Sequence, residues 1–478
     1  MNKKFINSYL IMASCFLVFA FSSCKTLNTN LTISEKIIPT SFQTSADSAN
    51  IAKINWRTYF ADPLLIKLID TALTGNFDLK MSLQRIDIAR SMLRFSKGKL
   101  LPTIDGKVAV GSTKYAKYTQ ENAGNITTFL EGKVVPNPLD DFYLGLTTNW
   151  EIDIWGKLKN QRKGAVSNVL ASLEGKNLVI SSLVADIAIA YYELIALDNE
   201  LEIIQQTIQR QQDALEAVKA QKDNGKANEL AVQQFQSQLL NTQASEKETK
   251  QQIAETENKI NFLLGRYPQA IERKKEVLFQ EIPQQVSAGV PSQLLSNRPD
   301  IREAEYQVKA SKFELKAAKV AFYPNLNISA TTGFQAFNPA FLFVSPASIA
   351  YSALGGLVAP LINRNALKTQ FNNIKANQLT AMYNYQKSIL NGYVEVANEL
   401  SNIQNLQEIN ALKKQQNDLL ILSVETSNDL YKSGRANYLE VLLAQQNSLQ
   451  TTLVLINTSK RQRIATVNLY KALGGGWQ

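Results

Sequence analysis

The chain has 478 residues, 45% hydrophobic and 19% charged, with a formal net charge of +10 and no histidine. Without histidine there is no Ser-His-Asp or Cys-His nucleophile system, no imidazole base near neutral pH and no His-ligated metal. The two cysteines, Cys15 and Cys24, are too few for a thiolate metal site. The length allows roughly two to four domains or one elongated architecture.

In chain order, the first element is a leader. Lys3 and Lys4 form a basic start, an apolar stretch follows over about 9–21, and Ser22 and Ser23 precede Cys24. This predicts a secretory signal peptide over 1–23, too short and wrongly flanked for a membrane-spanning helix. The ending Phe21-Ser22-Ser23-Cys24 resembles a bacterial lipobox, which would make Cys24 the lipidated first residue of the exported chain. Ordinary signal cleavage, with Cys24 incidental, is the alternative. Losing Lys3 and Lys4 takes the basic count from 51 to 49 against 41 acids, or +8, spread along the chain without a basic run. That is a solvated surface, not a nucleic-acid footprint.

The chain also repeats itself. NGKANEL at 224–230 matches SGRANYL at 433–439, an offset of 209 residues. The same offset carries Gly265 onto Gly474 and Leu158 onto Leu367. LLPTIDGKVAVG, ending at Gly111, matches FYPNLNISATTG, ending at Gly333, at an offset of 222. Four blocks in one order predict an internal duplication.

Each copy changes periodicity. Ile104, Val108 and Val110 alternate with Thr103, Asp105 and Lys107. Phe142, Leu144, Leu146, Trp150, Ile152 and Ile154 alternate with Asp141, Tyr143, Gly145, Asn149, Glu151 and Asp153. Leu326, Ile328, Ala330 and Phe334 alternate with Asn325, Asn327, Ser329 and Gly333, and a Gly-rich run follows over 349–358. Period two predicts strands with one apolar and one polar face, long enough to cross a bilayer at a tilt. On this reading the acids Asp140, Asp141, Glu151 and Asp153 line a polar face and do no acid/base chemistry. No proline falls between Pro138 and Pro268 or after Pro360. Leu194, Leu197, Leu201, Ile204, Ile208, Leu215 and Val218 follow a 3–4 spacing that Gln211 interrupts, and Leu439, Leu442, Leu449, Leu453 and Ile456 follow another. These predict coiled-coil helices on the order of 100 Å long, too rich in Gln, Lys and Glu for lipid.

Four strands cannot close a barrel, and a bilayer tolerates no open sheet edge, so membrane strands here require several chains around one duct. Trp150, Trp155, Phe322 and Tyr323 fall where strands meet helices, as an interfacial aromatic belt would, with core packing as the alternative. Two other classes compete: a soluble periplasmic coiled-coil scaffold lipoprotein without a pore, and an exported polysaccharide-acting enzyme with paired carboxylates. The first leaves the alternation unexplained, and the second has little chain left for a cleft.

Five ordered motifs over about 50–478 carry a resemblance: NWRTYFADPLLIKLIDTAL at 55–73, TTNWEIDIWGKLKN at 147–160, VPSQLLSNRPDIREAE at 290–305, YKSGRANYLEVLLAQ at 431–445 and NLYKALGGGW at 468–477. The chain resembles the TolC-like outer-membrane efflux proteins, specifically the lipoprotein outer-membrane factors of resistance–nodulation–division efflux systems. The resemblance implies an α+β membrane protein: a homotrimer sharing a transmembrane barrel of about 12 strands, four per chain, continued by a long periplasmic α-helical barrel with an equatorial collar. It implies a passive duct, not an enzyme, without cofactor or metal. Cargo would come from an inner-membrane pump through a periplasmic membrane-fusion adaptor; a type I protein-secretion duct is the variant within the family.

The implied segments are a lipidated amino terminus and equatorial segment at 24–60, a first repeat at 61–264, an equatorial linker at 265–290 and a second repeat at 291–478. Strands are expected at 103–118, 140–153, 325–337 and 350–360, with surface loops at 119–139 and 338–349. Long helices are expected at 156–224, 228–264, 363–430 and 437–473. The collar would draw on 40–58, on 265–290 and on the chain after Gly474. Gly225 and Gly434 suit helix-ending left-handed positions. By resemblance, Gly225, Lys226, Ala227, Asn228, Gly434, Arg435, Ala436 and Asn437 form the periplasmic tip and dock the adaptor. Relatives place a gating aspartate after the second turn; Ala436 and Asn437 stand there, which leaves Asp429 and Arg435 as a candidate gate. Arg298-Pro299-Asp300 reads as a helix start, structural and not catalytic.

Overall fold

The computed structural model describes residues 29–34, 37–42, 50–130, 132–280, 288–360 and 364–478. The expected signal peptide and Cys24 lie outside the described residues. The chain divides into two compact units. One comprises Ser91–Ser167 and Val308–Tyr383 with the described part of Met1–Ser34; the other comprises Arg90 and the described residues before it back to 37, Asn168–Gln307 and Asn384–Gln478.

The helices used below are α1 (Pro63–Gly75), α2 (Phe77–Gly98), α3 (Lys157–Asp223), α4 (Glu229–Leu263), α5 (Pro299–Val320), α6 (Asn365–Lys432) and α7 (Tyr438–Ala472). The strands are β1 (Thr103–Thr113), β2 (Leu139–Ile152), β3 (Asn325–Ala336) and β4 (Ile349–Val358).

The first unit is built on one antiparallel sheet in the order β1-β2-β3-β4. β1 ends at Thr113, short of the expected 118, because its ladder with β2 runs out at the Thr113↔Leu139 pair. The chain beyond it is not a plain loop: it forms a helix at Gln120–Thr127 and a short ladder pairing Phe129 with Val134. β4 stops at Val358, two residues before Pro360, which has no N–H for a ladder. Asp153 lies past the end of β2 and is not a wall residue. Its Oδ1 and Oδ2 accept the N–H groups of Leu158 (3.0 Å) and Lys159 (2.8 Å), capping α3. Glu151 pairs with Lys157 at 2.5 Å beside it. Where helices leave the sheet, Leu315, Ala318 and Phe371 form a small buried cluster.

The second unit has its core where helices pack along their seams. Leu183, Ile187, Tyr191, Leu194 and Ile195 of α3 are buried against Leu65 and Ile69 of α1, Ile260 of α4 and Val467 of α7. Each such side chain is worth about 1.5–3 kcal/mol of burial. One window of α3 is long and apolar enough to cross a membrane, but 61% of it is buried, which makes it core and not a span. A second cluster joins Ile301 of α5, Val396, Ile403 and Leu406 of α6, and Leu469 and Leu473 of α7. Phe42, Ala52 and Ala288 of the expected collar pack into it. In that collar, β pairing among the described residues is one bridge, Asn50↔Ala288, with short 3-10 turns at Ile51–Lys53 and Lys275–Phe279. Side chains anchor it too: the Arg463 guanidinium donates to the carbonyls of Val277 and Gln280.

Arg298 organises the start of α5. Its guanidinium makes a paired contact with Asp300 (3.0 and 2.7 Å), reaches Glu395 of α6 at 2.7 Å and donates to the carbonyl of Ala472, at the end of α7, at 2.8 Å. Burial alone would lower its pKa, but the two carboxylates outweigh it and hold the guanidinium firmly charged. Three elements meet on one charge, beside a cavity of about 430 Å3 that Arg298, Asp300 and Glu395 help to line. The motif is a structural latch.

Candidate channel wall and helix tips

The wall begins with register. Antiparallel pairing keeps partners on one face, so each ladder can be checked for side. Phe142, Leu144 and Leu146 of β2 stand opposite Val110, Val108 and Gly106 of β1. Phe142, Leu144, Trp150 and Ile152 stand opposite Ala336, Phe334, Ile328 and Leu326 of β3. Phe334, Thr332 and Leu326 stand opposite Ile349, Tyr351 and Leu357 of β4. One continuous face of four strands is therefore apolar, and it is open: Val108 is 76% exposed and Tyr351 84%.

The other face carries Asp105, Lys107, Thr147, Asn149, Asn327, Ser329, Thr331 and Gln335 by the same pairing. Gln335 donates to both oxygens of Asp141 (2.8 and 3.1 Å), and Thr331 and Ser352 hydroxyls meet at 2.7 Å. Asp140 does not share this face. It alternates with Asp141 and sits opposite Ser112, one residue from the end of the strand. Gly145 and Gly333 face each other here, and a Cβ on either would lie within 2.7 Å of the partner's backbone. The Tyr143 hydroxyl closes over the pair and donates to the Thr332 carbonyl at 3.3 Å. Side-chain alternation thus survives translation into three dimensions in β1, β2 and β3, whereas in β4 Leu354 and Val358 stand opposite Ser329 and Asn325 on the polar face.

Of the four expected belt aromatics, Trp150, Trp155 and Tyr323 are exposed, and Trp155 and Tyr323 meet edge to face at 5.4 Å. The indole N–H of Trp150 donates to the Leu100 carbonyl (3.1 Å), and that of Trp155 to the Pro324 carbonyl (2.9 Å). Phe322 differs. It packs on Phe371 at 6.2 Å and joins the helix cluster.

In the second unit, the two expected tips are built alike. At the first, the N–H of Gly225 (φ +69°) donates to the Lys222 carbonyl (2.9 Å) and that of Lys226 to the Gln221 carbonyl (2.8 Å). At the second, Gly434 (φ +73°) donates to Tyr431 (3.0 Å) and Arg435 to Leu430 (2.9 Å). Both are Schellman closures, which need a left-handed residue and hence glycine. Asn228 Oδ1 then caps α4 through the Ala231 N–H (2.9 Å), and Asn437 Oδ1 caps α7 through the Glu440 N–H (3.1 Å). Ala227 and Ala436 are half-buried, while Lys226 and Arg435 point into solvent. Lys222 bridges the first turn to Glu229 (2.5 Å) and pulls that carboxyl below its usual range.

The candidate gate pair does not meet within one chain. Asp429 lies 4.0 Å from Lys432, both highly exposed, and Arg435 has no ion pair among the described residues. Sequence reading missed the polar ties behind the tips: the Tyr431 hydroxyl donates to Gln221, and Gln446 to Gln238 at 2.5 Å. Tyr431 and Gln221 line an open cavity of about 660 Å3 together with Gln211, Asn417 and Gln445. Gln211, the residue that interrupts the α3 seam, is buried there, and its Oε1 has no hydrogen-bond partner among the described residues.

A long-strand sheet with one lipid-compatible and one polar face, joined to long seam-packed helices, defines a membrane-channel protein with a large helical part. The family profile described as outer membrane efflux protein matches residues 68–266 and 290–475. The chain is 26% identical over 475 residues to the probable outer membrane lipoprotein SilC of Salmonella typhimurium, covering 98% of this chain and 99% of that protein. It is 27% identical over 430 residues to the cation efflux system protein CusC of Escherichia coli strain K12, covering 89% of this chain and 90% of CusC. A crystal structure of CusC superimposes with a TM-score of 0.80 at 25% identity, covering 93% of this chain and 99% of that one. The chain belongs to the outer membrane efflux protein family, and is an outer-membrane component of an efflux system.

Proposed function

We propose that three copies of the chain close their sheets into one barrel of about 12 strands and form a passive exit duct of a tripartite efflux system. Cargo, drugs or other small molecules, enters from a periplasmic adaptor coupled to an inner-membrane resistance–nodulation–division pump and leaves to the exterior. The carrying observation is the register-matched apolar face combined with two sheet edges, β1 and β4, that have no strand partner among the described residues. In lipid an unpaired edge is prohibitive, and pairing β1 of one copy with β4 of the next removes every edge. Two unpartnered helix seams support several copies: Phe77, Met81, Ile88, Met92 and Phe95 of α2, and Ile409, Leu412, Leu419 and Leu422 of α6, all exposed in one chain. The name of SilC supports a lipid anchor, for which Cys24 is the candidate. CusC is named for cation efflux, and cations are small enough for the same duct.

The basic turns at Lys226 and Arg435 dock an acidic adaptor surface, and Asp429 and Arg435 bias the gate across subunit boundaries. Sedimentation in density-matched detergent should give about three chains per particle, with conductance in planar lipid. A detergent-free folded monomer that conducts no ions refutes the proposal. Lys226→Glu should raise drug susceptibility of cells without changing conductance. Asp429→Ala or Arg435→Ala should change the fraction of time the channel is open; unaltered currents from both remove the gate assignment.

A further inference from the structure

We propose that the loop between β3 and β4 is a lipid-contacting element that seats in the outer leaflet beside the barrel. This rests on the reading that the apolar sheet face meets lipid. Residues 320–363 contain no Asp, Glu, Lys or Arg, so the whole second hairpin is uncharged, loop included. The loop between β1 and β2, at the same end of the sheet, carries Lys114, Lys117, Glu121, Glu131 and Lys133. A loop that faces water has no reason to exclude charge; one that enters a leaflet does.

The β3–β4 loop also folds back onto the wall. Phe343 packs edge to face on Phe334 at 5.6 Å, and Phe334 belongs to the apolar face by its pairing with Leu144 and Ile349. Phe337 and Phe341 meet at 5.9 Å behind it. Phe343 is nevertheless 65% exposed, so it widens the apolar face of the sheet without burying itself. The backbone is prepared for a poor hydrogen-bonding medium. Phe341 donates to Asn338 (3.0 Å), Leu342 to Pro339 (3.2 Å), Val344 to Phe341 (3.1 Å) and Ser348 to Val344 (2.9 Å), while Asn338 Oδ1 takes the Ala340 N–H at 3.0 Å. Internal pairing of this kind is what lipid demands of any backbone that enters it. The absence of charge selects lipid over an aqueous ligand, and continuity with the apolar face through Phe334 selects the outer wall over the lumen.

Site-directed spin labelling tests this on the full exported chain in lipid vesicles, with the unsubstituted chain as the blank for any label on Cys24. Labels are placed by Phe343→Cys, by Val108→Cys on the apolar sheet face and by Lys117→Cys in the charged loop. Collision with dissolved oxygen should exceed collision with a water-soluble nickel chelate at positions 343 and 108, and the order should reverse at 117. Nickel-dominated collision at 343 with oxygen-dominated collision at 108 overturns the inference and leaves the membrane wall standing. Shielding from both agents at 343 also overturns it, because the loop would then plug the lumen or lie against another copy. Nickel dominance at 108 as well overturns the wall and the loop together. Should Phe343→Cys fail to assemble, Phe343→Trp keeps the aromatic volume. Its added fluorescence must then be lost in vesicles of brominated phospholipid, and an unquenched signal counts against the loop.

Discussion

A charge placed on one face of β2 but not the other discriminates a membrane wall from an ordinary half-buried sheet. Leu146 stands near the middle of the 14 residues of β2 on the apolar face and is 50% exposed; Thr147 is its neighbour on the polar face, opposite Asp105. If the apolar face meets lipid, Leu146→Arg puts a guanidinium close to the bilayer midplane, where the cost is about 2–4 kcal/mol per chain. At 1.4 kcal/mol per tenfold, that is roughly a 30- to 1,000-fold loss in the folded-to-unfolded ratio. Phe142 shares the face but lies four residues nearer the outer end, about 10 Å of depth at a tilt of roughly 40°, so Phe142→Arg should cost about 0–1 kcal/mol. Thr147→Arg should cost little, with Asp105 at hand. Urea titration of the protein folded into phosphocholine vesicles, followed by the gel shift of the heat-resistant form, reads all three. Equal losses at 146 and 147, or no dependence on depth between 146 and 142, would refute the reasoning: the apolar face would then be meeting water or protein.

Three further outcomes are expected. Arg298→Ala should cost about 3 kcal/mol in urea unfolding, the low end for a broken buried pair because Glu395 is 43% exposed and rehydrates, and Arg298→Lys should recover part of it by keeping the charge without the paired geometry. Gly225→Ala and Gly265→Ala share a φ of +69°, but the first adds a Cβ to open space and the second puts one 2.5 Å from the Gly75 carbonyl oxygen. Gly225→Ala should lower stability by about 1 kcal/mol, and Gly265→Ala should cost several-fold more in the same melt. Burial pushes the Tyr192 and Tyr470 phenols up to about 12, with Arg463 partly opposing this at Tyr192. Folded values above the unfolded value of 10.0 mean stability is intact below about pH 10 and lost between about 10 and 12, and Tyr192→Phe should flatten that loss. A slope unchanged by Tyr192→Phe would remove this residue from the account.

Local rules carried much of this protein. Alternation is a property of consecutive residues, so the faces of β2 and β3 were legible before any pairing was known. A Schellman turn is closed by its own helix, so Gly225 and Gly434, with Asn228 and Asn437 after them, were legible as helix ends from single-residue conformational preference. Pairing and packing between distant segments decided the rest. β1 ends where its partner strand ends, which five further residues of suitable composition could not reveal. Gln335 reaches Asp141 and the Tyr431 hydroxyl reaches Gln221, because each outcome depends on which distant segment lies alongside. Phe322 differs from Tyr323 only by which side of the chain meets Phe371. Arg298 was legible as a helix start, but its grip on the last turn of α7 joins residues 174 positions apart. Sequence order records short-range preference well because φ, ψ and side-chain direction are set by near neighbours. It says little about which distant group satisfies a buried charge or an exposed edge, and that is what the tertiary structure settled.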